Sequence, residues 1–264
     1  MRELPILFSP SMVEAILENR KKMTRRTQGL EQMNIFPDSM YLSGERHTVN
    51  SKDIAFIFKP CIDILDIGST VVKPRYNVGD QLWVKETYYA LGYWEKTGEL
   101  TKTGKEQYCF IDLTLEKVKS GYKYQTNSEI PTKVLGSRVL DIINGKLLWF
   151  KRNSMFMPKK AARIWLECTG VRCERLQNIT EADAIAEGVL KIPTTEEYKD
   201  VQTWENGAWS DFKDVELFKN YISNSDDVCF SAIESFSTLW MELGGRWLIN
   251  PWVFIYEFKR IEKP

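Results

Sequence analysis

The chain has 264 residues, which is long enough to bury a sizeable core without a disulfide or a metal, and its 13 Phe, 11 Tyr and 9 Trp speak against extensive disorder. Lys and Arg balance Asp and Glu at 36 each, so the zero net charge gives no indication of a nucleic-acid partner. An odd number of cysteines without a CxxC pair, together with His47 as the single histidine, disfavours common zinc sites and mechanisms that need two histidines, and favours a reducing compartment.

The first elements predicted are a buried strand and a capped helix. Residues 5–8 form a short apolar run, as in a buried strand. Ser11 precedes Glu14 by three residues, the spacing of a capping box, and we expect the helix to begin there. It should end near Asn19, because asparagine tolerates the left-handed conformation of a helix stop. One helical face is apolar: Met12, Val13, Ile16 and Leu17.

A basic cluster follows this helix, with five positive charges in seven residues and no acid between them: Arg20, Lys21, Lys22, Arg25 and Arg26. Such a cluster commonly forms a solvated surface, or complements the negative C-terminal end of a helix. The same composition also suits contacts with phosphate groups. The residues alone leave these alternatives open.

The middle of the chain predicts strands separated by irregular segments. Residues 28–75 are largely irregular, with weak strand signals at 54–58 and 62–67. Residues 79–86 are typical of a turn followed by a strand. Short aromatic stretches within 91–155 alternate with turns that contain glycine and lysine, which favours hairpins or an inserted flap.

The last third of the chain predicts a long strand, two capped helices and a final strand. Residues 163–176 have the apolar content of a long strand. Thr180 can cap a helix that ends at Gly188, and Ser231 can cap a second one. Residues 252–258 are rich in aromatic and β-branched side chains and favour a strand.

This order of elements lacks the regular alternation of parallel βαβ units, so we predict a mixed α+β fold built on a mostly antiparallel β-barrel. Polar stretches with scattered aromatic residues indicate insertions at about 28–75, 91–155 and 191–230. Aromatic residues there could stack on bases or could hold their loops to the core. The candidates are Trp94, Tyr122, Tyr124, Trp204 and Trp209.

Residues 16–26, Ile-Leu-Glu-Asn-Arg-Lys-Lys-Met-Thr-Arg-Arg, resemble the signature of ASCH domains, in which a helix ends in a Gly-Arg-Lys-x-x-Thr-x-Arg type sequence. Asn19 stands in place of the usual glycine, and both residue types tolerate positive φ. The signature positions that match are Arg20, Lys21, Thr24 and Arg26. The resemblance implies a PUA-like fold in a single domain over 1–264 that carries the insertions.

The order of the segments is similar to that of phage- and prophage-encoded ASCH-like proteins. These begin Pro-Ile-Leu-Phe-Ser, continue with Lys-x-x-Thr-Arg-Arg and Gly-Asp-x-Leu-Trp-Val-x-Glu, and end in an Asn-Pro-Trp-Val strand. A Met-Pro segment, here Met157-Pro158, precedes the strand predicted at 163–176. The matching segments cover about a third of the chain.

The resemblance also includes small bacterial ASCH proteins that hydrolyse the amide of N4-acetylcytidine, and it implies a catalytic set of Lys21, Thr24 and Glu187. A threonine hydroxyl becomes a nucleophile when a neighbouring base removes its proton, and a lysine can do so if burial and nearby cations lower its pKa. Glu187 would then position water or carry a proton, and Arg26 would stabilise an oxyanion or hold a phosphate. Ribonuclease activity is an alternative within the same resemblance.

A binding module for RNA, single-stranded nucleic acid or a modified nucleoside would use the same residues without catalysis. Arg20, Lys22, Arg25 and Arg26 would contact the substrate or its phosphates, and Glu86 would be a further polar group of the pocket. A second class of function is a phage accessory protein whose insertions bind a host or phage protein.

No cofactor, metal or membrane contact is expected. The sequence contains no apolar run near the ~20 residues of a membrane-spanning helix. Its first residues lack the long apolar stretch of a signal peptide. We therefore expect a cytoplasmic protein, located in the host cytoplasm if a phage encodes it.

Overall fold

A computed structural model describes residues 1–47, 54–61, 69–126, 130–131, 146–193, 202–205, 208–211, 216–222 and 227–264. These residues form a mixed α+β protein with several antiparallel sheets, as the sequence predicts. The chain divides into two compact units. The first comprises Met1–Arg2, Ala15–Gln81 and Leu166–Arg260, and the second comprises Glu3–Glu14, Leu82–Trp165 and Ile261–Pro264.

The described helices are α1 (Pro10–Leu17), α2 (Thr114–Lys117), α3 (Glu181–Ala186) and α4 (Ala232–Glu242). The described strands are β1 (Glu3–Leu7), β2 (Met23–Arg26), β3 (Met40–His47), β4 (Ile54–Pro60), β5 (Thr70–Val72), β6 (Gln81–Lys85), β7 (Tyr88–Leu100), β8 (Glu106–Asp112), β9 (Lys123–Tyr124), β10 (Leu148–Arg152), β11 (Trp165–Arg175), β12 (Lys191–Ile192), β13 (Gln202–Glu205), β14 (Ala208–Asp211), β15 (Leu217–Lys219), β16 (Val228–Cys229) and β17 (Trp252–Ile261).

The core of the first unit is organised around β17, which lies between β11 and β2. Its residues from Trp252 to Tyr256 are all buried, as expected for a strand covered on both faces. Strand β2 pairs with it in antiparallel register, so that Thr24 lies opposite Tyr256 and Arg25 lies opposite Ile255. This register places the signature residues against the most buried strand of the unit.

Strands β3, β4 and β5 form an antiparallel sheet in the first unit, within the predicted insertion at 28–75. The ring of Phe56 lies 5.5 Å from that of Phe254, and the ring of Phe58 meets that of Trp252 edge-on at 4.9 Å. The described part of this segment therefore contributes side chains to the core around β17.

In the second unit, β1 pairs with β6, and β7 is the centre of a four-stranded sheet with β8, β9 and β10. The hairpin of β7 and β8 agrees with the hairpins predicted within 91–155. Tyr122 and Tyr124, candidate stacking residues, are buried in a core cluster with Tyr88 and Trp165. Trp83 is half-buried and packs against the same cluster. Tyr122, Tyr124 and Trp83 therefore hold their segments to the core.

Several predicted helix ends are confirmed. Asn19 has φ +59° and Gly188 has φ +93°, the left-handed conformation that each position requires. Thr180 Oγ1 accepts from the Asp183 N–H, and Ser231 Oγ accepts from the Glu234 N–H, so both predicted caps are present.

The start predicted for the first helix is wrong. α1 begins at Pro10, so Ser11 lies inside its first turn and is not the N-cap. Proline suits the first helical position because the missing N–H would have no intrahelical partner there. The strand signal at 54–58 is confirmed by β4, whereas β3 was not predicted. Residues 62–67 lie outside the described residues, as do the side chains of Trp204 and Trp209.

The helices that the structure describes are too short or too polar to cross a membrane.

The packing of β4 on β17 predicts a large effect for Phe58→Ala. Phe58 has no exposed surface, and removing a buried phenyl ring costs about 3–5 kcal/mol of unfolding free energy. Tyr41→Ala is the matched control, because Tyr41 lies on β3 of the same sheet with 45% of its surface exposed. Denaturant unfolding of both variants measures the difference. Equal losses would contradict a core role for the sheet.

Candidate functional site

The basic cluster starts in the turn after α1 and continues into β2. The N–H groups of Arg20 and Lys21 both donate to the carbonyl of Ala15, at 2.8 and 3.0 Å, and Asn19 supplies the left-handed residue of the turn. Lys21, Thr24 and Arg25 are only 4%, 4% and 3% exposed. A solvated surface, the plainest interpretation of the basic cluster, is therefore wrong for Lys21 and Arg25.

Glu187, at the end of α3, meets Lys21 in the interior of the first unit. Lys21 Nζ donates to Glu187 Oε2 and to the main-chain oxygen of Glu187, both at 2.7 Å. The Lys22 N–H donates to the Ala186 carbonyl at 2.7 Å, which fastens the turn to the end of the helix. The structure thus brings together two of the three residues predicted to be catalytic.

Gly188 allows this approach of α3 to the turn. A Cβ atom at Gly188 would lie 2.8 Å from the Cβ of Lys21 and 3.0 Å from the Cβ of Ala15. Such distances are well inside van der Waals contact, and the φ of +93° already disfavours other residues. Both reasons require glycine here.

Arg25 holds the other oxygen of Glu187. Its Nη1 donates to Glu187 Oε1 at 3.2 Å, and its Nη2 donates to Glu174 Oε1 at 3.0 Å and to Asp183 Oδ2 at 2.7 Å. Arg172 Nη2 donates to the same Asp183 oxygen at 2.5 Å. In this conformation the Arg25 guanidinium donates its hydrogen bonds to three carboxylates and not to a phosphate. Its role in phosphate contact stays a prediction.

The pKa of Lys21 is lowered from its ordinary value, mainly because burial removes water from the ammonium group. Glu187 opposes the effect through its charge and its hydrogen bond, while the charges of Arg26 and Arg25 lower the pKa further. A lysine in this environment gives up its proton more readily than one in water, which is the property that a general base needs.

Arg26 is half-buried beside two phenols. Burial lowers its pKa, and the electrostatic influence of Tyr76, Glu187 and Tyr256 acts in the opposite direction. The rings of Tyr76 and Tyr256 meet edge-on at 5.0 Å, and burial raises the pKa of both hydroxyls. The two phenols are therefore neutral hydrogen-bonding groups near this cation.

The remaining residues predicted for binding lie in different surroundings. Arg20 donates to Glu18 at 2.7 Å and to the Gly188 carbonyl at 2.6 Å. Lys22 is exposed. Glu86 belongs to the second unit, where its carboxylate accepts two hydrogen bonds from Arg163, at 2.8 and 2.9 Å. This pair accounts for the burial of Glu86 within its own unit.

An open cavity of about 370 Å³ lies next to the turn in the first unit. Its lining comes from the end of α1, the turn, the start of the first-unit part of β11 and the end of β17: Ile16, Asn19, Lys21, Lys22, Leu166, Phe258, Lys259 and Arg260. Lys21 is thus shared by the cavity and the buried ion pair.

Five residues around the site were not predicted from the sequence: Arg172, Glu174 and Asp183, which are partners of the cluster, and Lys259 and Arg260, which line the cavity. Arg172 and Glu174 are two residues apart on β11, so their pattern could have shown that they share one face. Nothing in that pattern identifies the cation they face.

Within the part of the chain that the structure describes, no group of three or more His, Cys, Asp or Glu residues is arranged to hold a metal ion. Comparisons of the chain with protein-family models, curated proteins and solved structures found no match.

The close approach at Gly188 predicts that Gly188→Ala destabilises the first unit by about 1–3 kcal/mol for the left-handed backbone alone, with an added cost from displacing Lys21. Gly244→Ala is the matched control, since Gly244 has φ +85° and no atom within 4 Å of an added Cβ. Denaturant unfolding should give the larger loss for Gly188→Ala. Equal losses would show that the site tolerates a Cβ.

The lowered pKa of Lys21 predicts how stability changes with pH. As pH rises through this folded-state pKa, the folded chain loses the proton, while the unfolded chain retains it up to the ordinary value of 10.5. The unfolded state then binds more protons, so the unfolding free energy of the wild type should rise relative to Lys21→Met within that window. Unfolding measured from about pH 7 to about pH 10 tests this. A difference between the wild type and Lys21→Met that does not change with pH would contradict it, and Lys73→Met, at an exposed lysine, is the control.

Proposed function

We propose that this chain is a phage-type ASCH protein with a PUA-like barrel, acting on RNA or nucleosides as an amidohydrolase of N4-acylated cytidine. The observation that carries the proposal is the buried ion pair between Lys21 and Glu187, formed across 166 positions of the chain. The antiparallel pairing of β2 with β17 supports the fold assignment, because it places the last residues of the signature-like segment, Met23–Arg26, in a sheet beside β17.

The energetic cost of this ion pair is the first argument for an active role. Taking charges out of water costs several kcal/mol per ion, and apolar residues of similar size are often at least as stabilising. Perturbed lysine pKa values are common at functional sites for the same reason. A lysine kept in a buried position with a lowered pKa is better explained by chemistry than by stability.

The proposed reaction uses Thr24 as nucleophile and Lys21 as base. Neutral Lys21 removes the Thr24 hydroxyl proton as Oγ1 attacks the amide carbonyl; the C–N bond breaks, and the N4 amine of cytidine leaves with the proton from Lys21. Water, oriented by Glu187, then attacks the acyl-threonine ester, so that acetate is released and the threonine hydroxyl is restored. Arg26 would stabilise the oxyanion that forms in both steps.

Arg25 has a supporting role in this proposal. It fixes one oxygen of Glu187, and the other oxygen remains directed to Lys21 Nζ. Both oxygens of the carboxylate are thereby held in defined positions, which is the preorganisation that a catalytic group needs.

A protein-binding accessory factor is the second candidate function. Phe36, in the predicted insertion at 28–75, is 71% exposed, and Leu248 is 91% exposed. Arg175 donates to the main-chain oxygens of Pro37 and Asn250, so the two exposed side chains belong to neighbouring segments. Exposed apolar residues gathered in this way favour contact with a host or phage protein.

The proposed hydrolysis predicts turnover of N4-acetylcytidine that Lys21→Met reduces by about 10²–10⁴-fold, as expected when a general base is removed. Thr24→Val and Glu187→Gln should also lose turnover. Glu174→Gln is the control, because Glu174 contacts Arg25 in the same network and has no proposed chemical step. Chromatographic assay of cytidine release, with melting curves for every variant, measures the effects.

The outcomes separate the candidate functions. Turnover in Lys21→Met equal to that in Glu174→Gln would reject the catalytic assignment. No turnover in the wild type, with salt-dependent retention of single-stranded RNA that Lys21→Met weakens, would indicate a binding module instead. Neither turnover nor retention would favour the protein-binding candidate.

A further inference from the structure

The cavity beside the turn combines a buried apolar floor with an exposed cationic rim. Ile16, Leu166 and Phe258 line it with buried hydrocarbon. Lys22 and Arg260 line it with exposed side chains. Its volume of about 370 Å³ is in the range of small-ligand pockets, which begin near ~300 Å³.

The charges at this cavity do not balance. Four of its lining residues are basic and none is acidic. Glu187 pairs with Lys21 at 2.7 Å, and Glu167 pairs with Lys259 at 3.1 Å. Among the described residues no carboxylate pairs with Lys22 or with Arg260. Two positive charges are therefore available at the mouth of the cavity, and they favour an anion.

We infer that the cavity is a phosphate subsite, in which Lys22 and Arg260 bind the phosphate of a nucleotide whose base or sugar covers the apolar floor. An arginine gives a phosphate two parallel hydrogen bonds, and a lysine adds a mobile point charge. The ligand class is a phosphorylated nucleotide, either free or as a unit of RNA, and an uncharged nucleoside would leave both cations without a partner.

The inference rests on the proposed function, since Lys21 belongs to both the cavity and the candidate catalytic set. It adds Arg260 of β17 and Lys22 of the turn to that set. It also narrows the class of substrate from nucleosides to phosphorylated nucleotides. Lys259, which is paired with Glu167, has a smaller part, because its charge is already compensated.

The test is calorimetric binding to the full chain of four probes: cytidine, cytidine 5′-monophosphate, inorganic phosphate, and a short single-stranded oligocytidylate without terminal phosphates. We expect the two phosphorylated probes, cytidine 5′-monophosphate and the oligocytidylate, to bind at least about tenfold more tightly than cytidine. Their affinity should fall as the salt concentration is raised. Lys22→Ala/Arg260→Ala should remove this preference. Lys73→Ala/Arg246→Ala removes the same two charge types from exposed positions that do not line the cavity, and it should retain the preference.

The two phosphate sources give different results in this experiment. Tighter binding of the monophosphate than of the oligonucleotide would support the inference with a free nucleotide as ligand, and the reverse would support it with RNA. Equal affinity for cytidine and both phosphorylated probes would overturn the inference, as would a preference that survives in Lys22→Ala/Arg260→Ala. Because binding is measured without turnover, loss of hydrolysis in Lys21→Met is judged separately. The phosphate preference can therefore fail while N4-acetylcytidine is still hydrolysed, and hydrolysis can be absent while the preference is present.

Discussion

An ammonium group without water needs a carboxylate beside it, and the ion pair of Lys21 with Glu187 is the constraint on which the first unit depends. It joins a turn near the beginning of the chain to the end of α3. The approach requires Asn19 in the left-handed conformation and Gly188 without a side chain. The left-handed conformations of Asn19 and Gly188, which are far apart in the sequence, thus both support the contact between Lys21 and Glu187.

The charges around that pair are arranged as alternating partners. Lys21, Arg25 and Arg172 face Glu187, Asp183 and Glu174, so the buried part of the network is close to neutral. Neutrality lowers the penalty for burying each charge, but the arrangement depends on every member. Arg26 is different, because the groups that influence it include two phenols, Tyr76 and Tyr256, whose pKa values are raised by burial.

Local signals were sufficient for much of the fold. The caps at Thr180 and Ser231 and the stop at Asn19 are properties of a few neighbouring residues, and each was predicted. β3 was missed because its polar and apolar residues do not alternate regularly, and its register shifts between Leu42 and Gly44. The first helix begins at Pro10 and not after Ser11. Two valid start signals, a proline at the first helical position and a serine as N-cap, lie at neighbouring residues and compete.

The site required more than local signals. Lys21, Thr24 and Glu187 could be proposed together only through a family resemblance, since no spacing rule connects residues so far apart. Glu174 carries no sequence signal for its contact with Arg25, because a charged residue on a half-buried strand has the same pattern whether it faces solvent or a partner. Lys259 and Arg260 follow an apolar strand and have the pattern of an ordinary solvated end.

The antiparallel pairing of β2 with β17 has a consequence for how the protein is made. Thr24 lies opposite Tyr256, so the strand that pairs with β2 is synthesised long after β2 itself. Contacts between such distant segments form slowly, because the long loop between them must close first. Before residue 187 and the residues of β17 are synthesised, Lys21 lacks both its carboxylate partner and the strand that pairs with β2, and its ammonium group is hydrated. The lowered pKa of Lys21 is thus a property of the folded chain, and the segment 16–26 does not have it on its own.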